Sequence, residues 1–259
     1  KKKTAYEIQV KINPEDSTLS GVEKIVYTNN STNSLPQLVV SLIQDVLKPG
    51  NVRDFDLPDF MLGLLNGGTK IEYLLVNGKA VDLNKGEEAN LNGTNLFVNL
   101  PDPLAAGGKL NVEIAWKNKL TPHVGRYGFT DSTTCFVGYW YPKIAVYDDI
   151  NGWDTHSFRG MTEFYSDLAD YDVSVEIPAD FAVWGTGILQ NPKEVLPTEI
   201  LKRYNAAATA TQTVTIIGNE DWNKGLKMNG GKWRFKASDV PDFAIVFSDH
   251  YVWESISLP

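Results

Sequence analysis

The stretch Tyr6-Glu7-Ile8-Gln9-Val10-Lys11-Ile12 alternates apolar Tyr6, Ile8, Val10 and Ile12 with polar Glu7, Gln9 and Lys11. A period of two is what a β-strand needs when one face is buried and the other is wet. Asn13-Pro14-Glu15-Asp16 predicts a turn, and residues 19–27 predict a second strand. Asn29-Asn30-Ser31 and Asn33-Ser34 turn the chain again. The apolar run from Leu38 to Ile43 then reads as a strand buried on both faces.

The same style continues outward from this opening. Residues 48–68 read as loop, punctuated by Pro49-Gly50, Pro58 and Gly67-Gly68. Short strands are predicted over 71–76, 80–83, 96–100 and 109–116. Asn77-Gly78 marks a hairpin, because both turn positions need positive φ. Gly107-Gly108 marks a further turn. Later strands are predicted over 171–177, 182–184, 211–217, 232–237 and 243–248. Residues 198–208 form the one predicted helix, with Ile200, Leu201, Tyr204 and Ala208 on one face and Thr198 as N-cap. The expected architecture is all-β, an antiparallel saddle-shaped β-sandwich with one short helix, and residues 1–259 as a single domain.

Composition narrows the function. Twenty-four Lys+Arg against 32 Asp+Glu give a net charge of -8, which argues against a nucleic-acid partner or an anionic membrane surface. No run approaches the roughly 18 apolar residues of a transmembrane segment. The lone Cys135 excludes an intrachain disulfide and a thiolate cluster, and its neighbours Phe136 and Val137 favour a buried, inert thiol. The only histidines, His123, His156 and His250, belong to no His-Glu-x-x-His helix. A nucleophile elbow, a phosphate loop and a dinucleotide fingerprint are absent.

Two clusters invite a chemical reading. Asp148, Asp149, Asp154, Glu163, Asp167, Asp170 and Asp172 form an acidic window in which a glycosidase pair or a calcium loop at 149–154 is conceivable. A solvated loop with a turn at Asn151-Gly152 explains the same residues. Tyr139-Trp140-Tyr141 with Trp153, Phe158, Phe164 and Tyr165 make either an exposed platform for a carbohydrate or protein partner, or core.

Several segments together resemble, in order, the N-terminal domain of the aminopeptidase N family of zinc metallopeptidases (gluzincins), in its bacterial exported branch. The opening strand is followed by Leu19-Ser20-Gly21-Val22-Glu23-Lys24-Ile25 and Tyr27-Thr28-Asn29-Asn30-Ser31, similar to the family's Leu-x-Gly-x-x-x-Ile strand ending in Asn-x-Ser. The segment from Trp140-Tyr141-Pro142-Lys143 to Asp148-Asp149 resembles its aromatic-Pro stretch leading into Asp. Tyr171-Asp172-Val173-Ser174-Val175-Glu176-Ile177-Pro178 with Thr186-Gly187 is similar to its Tyr-Asp-Val strand and Thr-Gly pair. Trp233-Arg234-Phe235 with Asp242-Phe243-Ala244 resembles the strand pair closing that domain.

The resemblance implies a non-catalytic domain that packs on a catalytic domain of the same polypeptide and shapes the cavity for a peptide substrate. Zinc belongs to the implied full-length metallopeptidase. This chain carries no catalytic residue and no metal ligand, and has no cofactor of its own, since the family's Gly-x-Met-Glu-Asn strand and His-Glu-x-x-His helix are missing. The family's amine-anchoring Gln or Glu is also missing upstream of the aromatic-Pro stretch. Asp131 is the one carboxylate there that could contact substrate. Tyr141, Asp148 and Asp149 are the candidates for the domain interface. The exported branch implies a periplasmic or cell-surface protein with its signal removed, while a cytoplasmic one fits the same N-terminal stretch. The alternative reading is a carbohydrate- or protein-binding β-sandwich module.

Overall fold

A computed structural model describes residues 2–57 and 67–257; Pro58, among the predicted loop breakers, lies outside them. The first strands are β1 (Thr4–Asn13), β2 (Thr18–Thr28), β3 (Leu35–Ser41), β4 (Lys70–Val76) and β5 (Lys79–Ala80). There follow β6 (Ala89–Asn92), β7 (Asn95–Leu104), β8 (Lys109–Lys119), β9 (Tyr127–Phe129) and β10 (Cys135–Val137). Short strands β11 (Lys143–Ile144), β12 (Tyr147–Asp148) and β13 (Gly152–Trp153) lead to β14 (Ala169–Glu176), β15 (Ala182–Gly185) and β16 (Ile188–Leu189). Helices α1 (Pro192–Val195) and α2 (Thr198–Ala207) precede β17 (Val214–Ile217) and α3 (Asn219–Asn223). Strands β18 (Lys232–Val240), β19 (Ile245–Ser248) and β20 (Trp253–Ser255) close the chain.

The largest sheet has eight strands in the order β16-β18-β14-β1-β2-β8-β4-β5, and two four-stranded sheets run β15-β19-β10-β9 and β11-β3-β7-β6. The all-β expectation therefore holds; among the described strands the ladders are antiparallel apart from the parallel pairing of β1 with β14. Alternation in β1 buries Tyr6, Ile8, Val10 and Ile12 and leaves Glu7, Gln9 and Lys11 outside. The outer face is polar and stitched by charge: Arg234 donates twice to Asp172, at 2.9 and 2.6 Å, and Lys236 lies 3.2 Å from the same carboxylate. The Arg234 hydrogen bonds hold the Asp172 carboxyl below its usual range against partial desolvation.

The turn chemistry acts as the sequence predicts at Asn77-Gly78, where both residues have positive φ, 49° and 77°, between the paired Val76 and Lys79. Other details differ. Pro197 occupies the cap position of α2, so Thr198 is its first helical residue and makes no side-chain cap. The buried face of α2 closes on Ala207, while Ala208 is exposed. Two single-turn helices, α1 and α3, accompany it. The run at Leu38 is buried as expected through Val40, but the strand ends at Ser41 and a 3-10 turn, Ile43–Leu47, takes Ile43.

Two positions on the inner face of β2 carry a steric and an electrostatic constraint. A Cβ on Gly21 would lie 2.7 Å from ring carbons of the fully buried Trp116, so the indole occupies the space a side chain would need. Two residues on, Glu23 is fully buried between the β-partners Ile8 and Ile114, and neither carboxyl oxygen has a hydrogen-bond partner. Burial raises its pKa well above the ordinary carboxyl value.

Gly21→Ala should therefore cost about 1–3 kcal/mol in urea unfolding, because Trp116 must leave its rotamer. Glu23 gives a pH signature. The native state holds a proton that the unfolded chain releases above about pH 4.3, so this carboxyl's contribution is full below that pH and is lost as pH rises toward its folded value. Glu23→Leu should raise the melting temperature by a few °C at pH 8, where about 1 kcal/mol is worth roughly 2–4 °C, and the two melting curves should converge near pH 4. Parallel curves at all pH values would show that Glu23 is not buried as a carboxylic acid.

Candidate functional site

The connection from β10 to β11 is where the fold fixes side chains most tightly. Trp140 is buried; its indole N–H donates to Phe243 O at 2.9 Å, and Asn118 donates to Trp140 O at 2.6 Å. The buried amide of Gln44 donates to the carbonyls of Gly138 and Tyr139, at 3.3 and 3.1 Å. Between these anchors Tyr139 is held at φ 51°, the left-handed region that a bulky residue enters only when its surroundings impose it.

Tyr141 is buried rather than exposed. Its hydroxyl donates to Asp242 Oδ1 at 2.6 Å and lies 2.8 Å from the Tyr171 hydroxyl. Tyr171 in turn stacks on Tyr6 with centroids 5.0 Å apart, and Tyr6 accepts the Ile144 N–H at 3.1 Å. Burial, reinforced by Asp242, pushes the Tyr141 hydroxyl well above its ordinary value, so it stays a donor. Lys143, half-buried beside it, donates to Ser166 Oγ at 3.0 Å and to Pro241 O. Desolvation lowers its ammonium pKa, and Asp242 and Asp167 oppose that shift.

The coil 154–168 crosses in front of this network. Asp154 N–H donates to Val146 O and Phe158 N–H to Thr94 Oγ1, each at 2.8 Å. Arg159 pairs with Asp54 at 2.7 Å, and Arg126 reaches both the Tyr139 hydroxyl at 2.6 Å and Glu163 at 3.2 Å. Tyr139, Phe164 and Phe158 stack in series, with centroids 3.9 and 4.4 Å apart. This stack divides two hollows. One of about 560 Å³ is lined by Tyr141, Lys143, Asp154, Tyr165 and Asp242; the other, about 250 Å³, by Leu47, Phe55, Tyr127 and Met161. The larger falls within the usual volume range of a ligand pocket and the smaller just below it.

The other sequence candidates lie elsewhere. Asp131 Oδ1 accepts the amides of Thr133 and Thr134 at 2.9 and 2.7 Å, and Oδ2 lies 3.3 Å from His250 Nε2. Desolvation opposes these donors, yet together with His250 they hold the carboxyl below its usual value. Asp148 Oδ1 accepts Ile150 and Asn151 N–H at 2.8 and 2.6 Å, which makes 148–152 the plain hairpin turn. Asp149 is exposed beside it and lines a third hollow with Asp148, Asp167 and Leu168. Cys135 is buried and its thiol is pushed up to about 12 by desolvation, as the inert reading expects. Gln44 and Arg126 escape sequence reasoning, and Tyr139 and Asp242 enter it only as part of an aromatic cluster and of a family-like segment, because no local pattern marks a positive-φ tyrosine or a partner some 90 residues away.

Zinc, which the resemblance implies, needs three or more nitrogen, sulfur or oxygen donors converging on one point. Among the described residues no three of His, Cys, Asp and Glu are so placed, so these residues do not fit it.

By sequence, no family model and no curated protein matches the chain. By structure it superposes on a mutant M1 zinc metallopeptidase from Deinococcus radiodurans over 95% of its own length, with TM-score 0.51 and 13% identity. The same enzyme crystallised with a Tyr-Ser-Ala substrate matches over 95% at TM-score 0.50 and 13% identity. The chain has the fold found in M1 zinc metallopeptidases. It spans only 42% of the chains it matches.

If the Tyr141–Asp242–Tyr171 network holds the β10–β11 connection, Tyr141→Phe should cost about 1–2 kcal/mol in denaturant unfolding, since it removes one of two donors to Asp242 Oδ1 and leaves the Phe243 N–H as the other. A loss below about 0.5 kcal/mol would show that Asp242 is satisfied without it.

Proposed function

We infer that this chain is the N-terminal β domain of a zinc metallopeptidase of the aminopeptidase N type, and that it is non-catalytic by itself. The observation that carries the reading is the asymmetry of the structural match: nearly all of this chain, but less than half of the M1 enzymes it matches. A domain in whose described residues no three His, Cys, Asp or Glu converge is suited to shaping a cavity, while the metal chemistry belongs to another domain.

The side we assign to the cavity is the one carrying the coil 154–168, with the Tyr139 stack on one flank and the acidic hairpin of Asp148 and Asp149 on the other. Peptide substrate is the partner we place there, with the catalytic domain of the same polypeptide closing the cavity. Asp131 fits a loop-holding role better than a substrate contact, because its oxygens are engaged by Thr133, Thr134 and His250.

The carbohydrate-binding alternative is disfavoured by the aromatic geometry. Sugar stacking requires an open ring face. Trp140 and Tyr141 are buried, Tyr139, Phe158 and Phe164 stack on one another with the Arg126 guanidinium 5.7 Å over the Tyr139 ring, and Tyr165, 57% exposed, is a single open ring where a platform needs several.

Two measurements test this reading. The 259-residue chain with added Zn²⁺ should hydrolyse no aminoacyl substrate, and the reading frame past codon 259 should encode a His-Glu-x-x-His helix. Turnover by the isolated chain at a rate comparable to a full-length enzyme, or a stop codon after Pro259, overturns it.

A further inference from the structure

Among the described lysines, Lys48 and Lys143 are half-buried and the others exposed, and these two are held differently. Lys48 lies 3.7 Å from the fully buried carboxylate of Asp45, an ordinary charge pair. Lys143 on β11 donates instead to neutral oxygens, Ser166 Oγ at 3.0 Å and Pro241 O. A neutral amine has two N–H groups, which these two acceptors fill, and a lone pair left over; an ammonium brings a third N–H that needs a further partner. Burial acts in the same direction, since desolvation lowers the ammonium pKa against the pull of Asp242 and Asp167.

The amine is also reachable. Lys143 lines the hollow of about 560 Å³ beside Tyr141, a volume that takes a small organic ligand. The charged side chains around that hollow are Asp54, Asp154, Glu163 and Asp242 against Arg159, with His156 beside them. Arg159 and His156 are engaged by Asp54 and Asp154, at 2.7 and 3.0 Å. Carboxylates therefore outweigh cations around the amine, and a ligand bearing its own carboxylate or phosphate is disfavoured.

We propose that Lys143 is a covalent acceptor site for small uncharged aldehydes, which enter the hollow and condense with its Nζ to an imine. A desolvated lysine is the form in which this side chain attacks carbonyl carbon. The amine lone pair adds to the aldehyde carbon and gives a carbinolamine. The former carbonyl oxygen then leaves as water with the two amine hydrogens, and the C=N bond forms. The condensation is redox-neutral and reversible. It uses this chain's own residues alone, so it stands apart from the metallopeptidase reading.

Glycolaldehyde with sodium cyanoborohydride, which reduces an imine to a stable secondary amine, tests this on the 259-residue chain. Peptide mapping by mass spectrometry at about pH 7 should find Lys143 labelled at least about tenfold faster than the exposed Lys79 and Lys109. That preference should vanish in guanidinium chloride and shrink toward about pH 10, where exposed amines also lose their proton. Glyoxylate, which carries a carboxylate in place of the hydroxymethyl group, should not show it. Labelling of Lys143 no faster than of Lys79 and Lys109 overturns the acceptor site and leaves the metallopeptidase reading intact. A preference that survives in guanidinium chloride assigns the reactivity to local sequence and overturns the role of the hollow. An equal preference with glyoxylate overturns the uncharged class of ligand.

Discussion

The parallel ladder between β1 and β14 is the seam on which the structure depends. It pairs Thr4 with Ala169 through Lys11 with Glu176, joining residues some 165 positions apart. In the sheet order, β16, β18 and β14 lie on one side of it and β2, β8, β4 and β5 on the other. Without the seam, the largest sheet would be two smaller ones, one from each half of the chain. Its register sets Tyr6 beside Tyr171, Ile8 beside Val173 and Val10 beside Val175, so buried side chains from both halves share one layer. A shift of one residue would turn those layers outward, which is why the register is so strongly specified.

The Tyr6–Tyr171 stack at that seam also supports the candidate site from behind Tyr141 and Ile144. Through the Tyr141 and Tyr171 hydroxyls it reaches Asp242, and through the Tyr6 hydroxyl it holds the backbone of β11 at Ile144. The strained Tyr139 lies two residues before Tyr141, fixed from the other side by Gln44. Strain of this kind, typically about 1–3 kcal/mol, survives only where neighbours over-determine the backbone. Here the seam, the 3-10 turn and the Trp140 anchors all act within residues 138–144.

What could be read from the sequence follows the reach of each signal. Alternation exposed β1, β2, β8, β14 and β18, because each has enough residues for a period of two to show. It assigns faces, not partners, so the parallel pairing of β1 with β14 was invisible. Strands of two or three residues, such as β9 through β13, are too short to carry a period. Proline chemistry shifted the start of α2 by fixing residue 197 outside the helix, a boundary effect that propensity ranks do not resolve. The family-like order of segments identified the fold that the structure shows, while Tyr139 meets its partners across 13 to 95 residues, contacts that leave no local trace.

Glu23 shows how a sequence pattern and a residue type can disagree. Parity along β2 puts Leu19, Gly21, Glu23, Ile25 and Tyr27 on the inner face, and the strand obeys parity rather than polarity. The sheet cannot rotate one residue outward without breaking the ladders to β1 and β8, so the carboxyl is carried inside as an acid. Gly21, two positions earlier, answers the same geometry in the opposite sense: there the inward position is filled by Trp116 from the neighbouring strand, and only hydrogen fits. Both constraints act within the eight-stranded sheet and neither touches the cleft at Tyr139. The buried layer of the sheet therefore carries both constraints, while the candidate site is left to the connections, above all the coil 154–168.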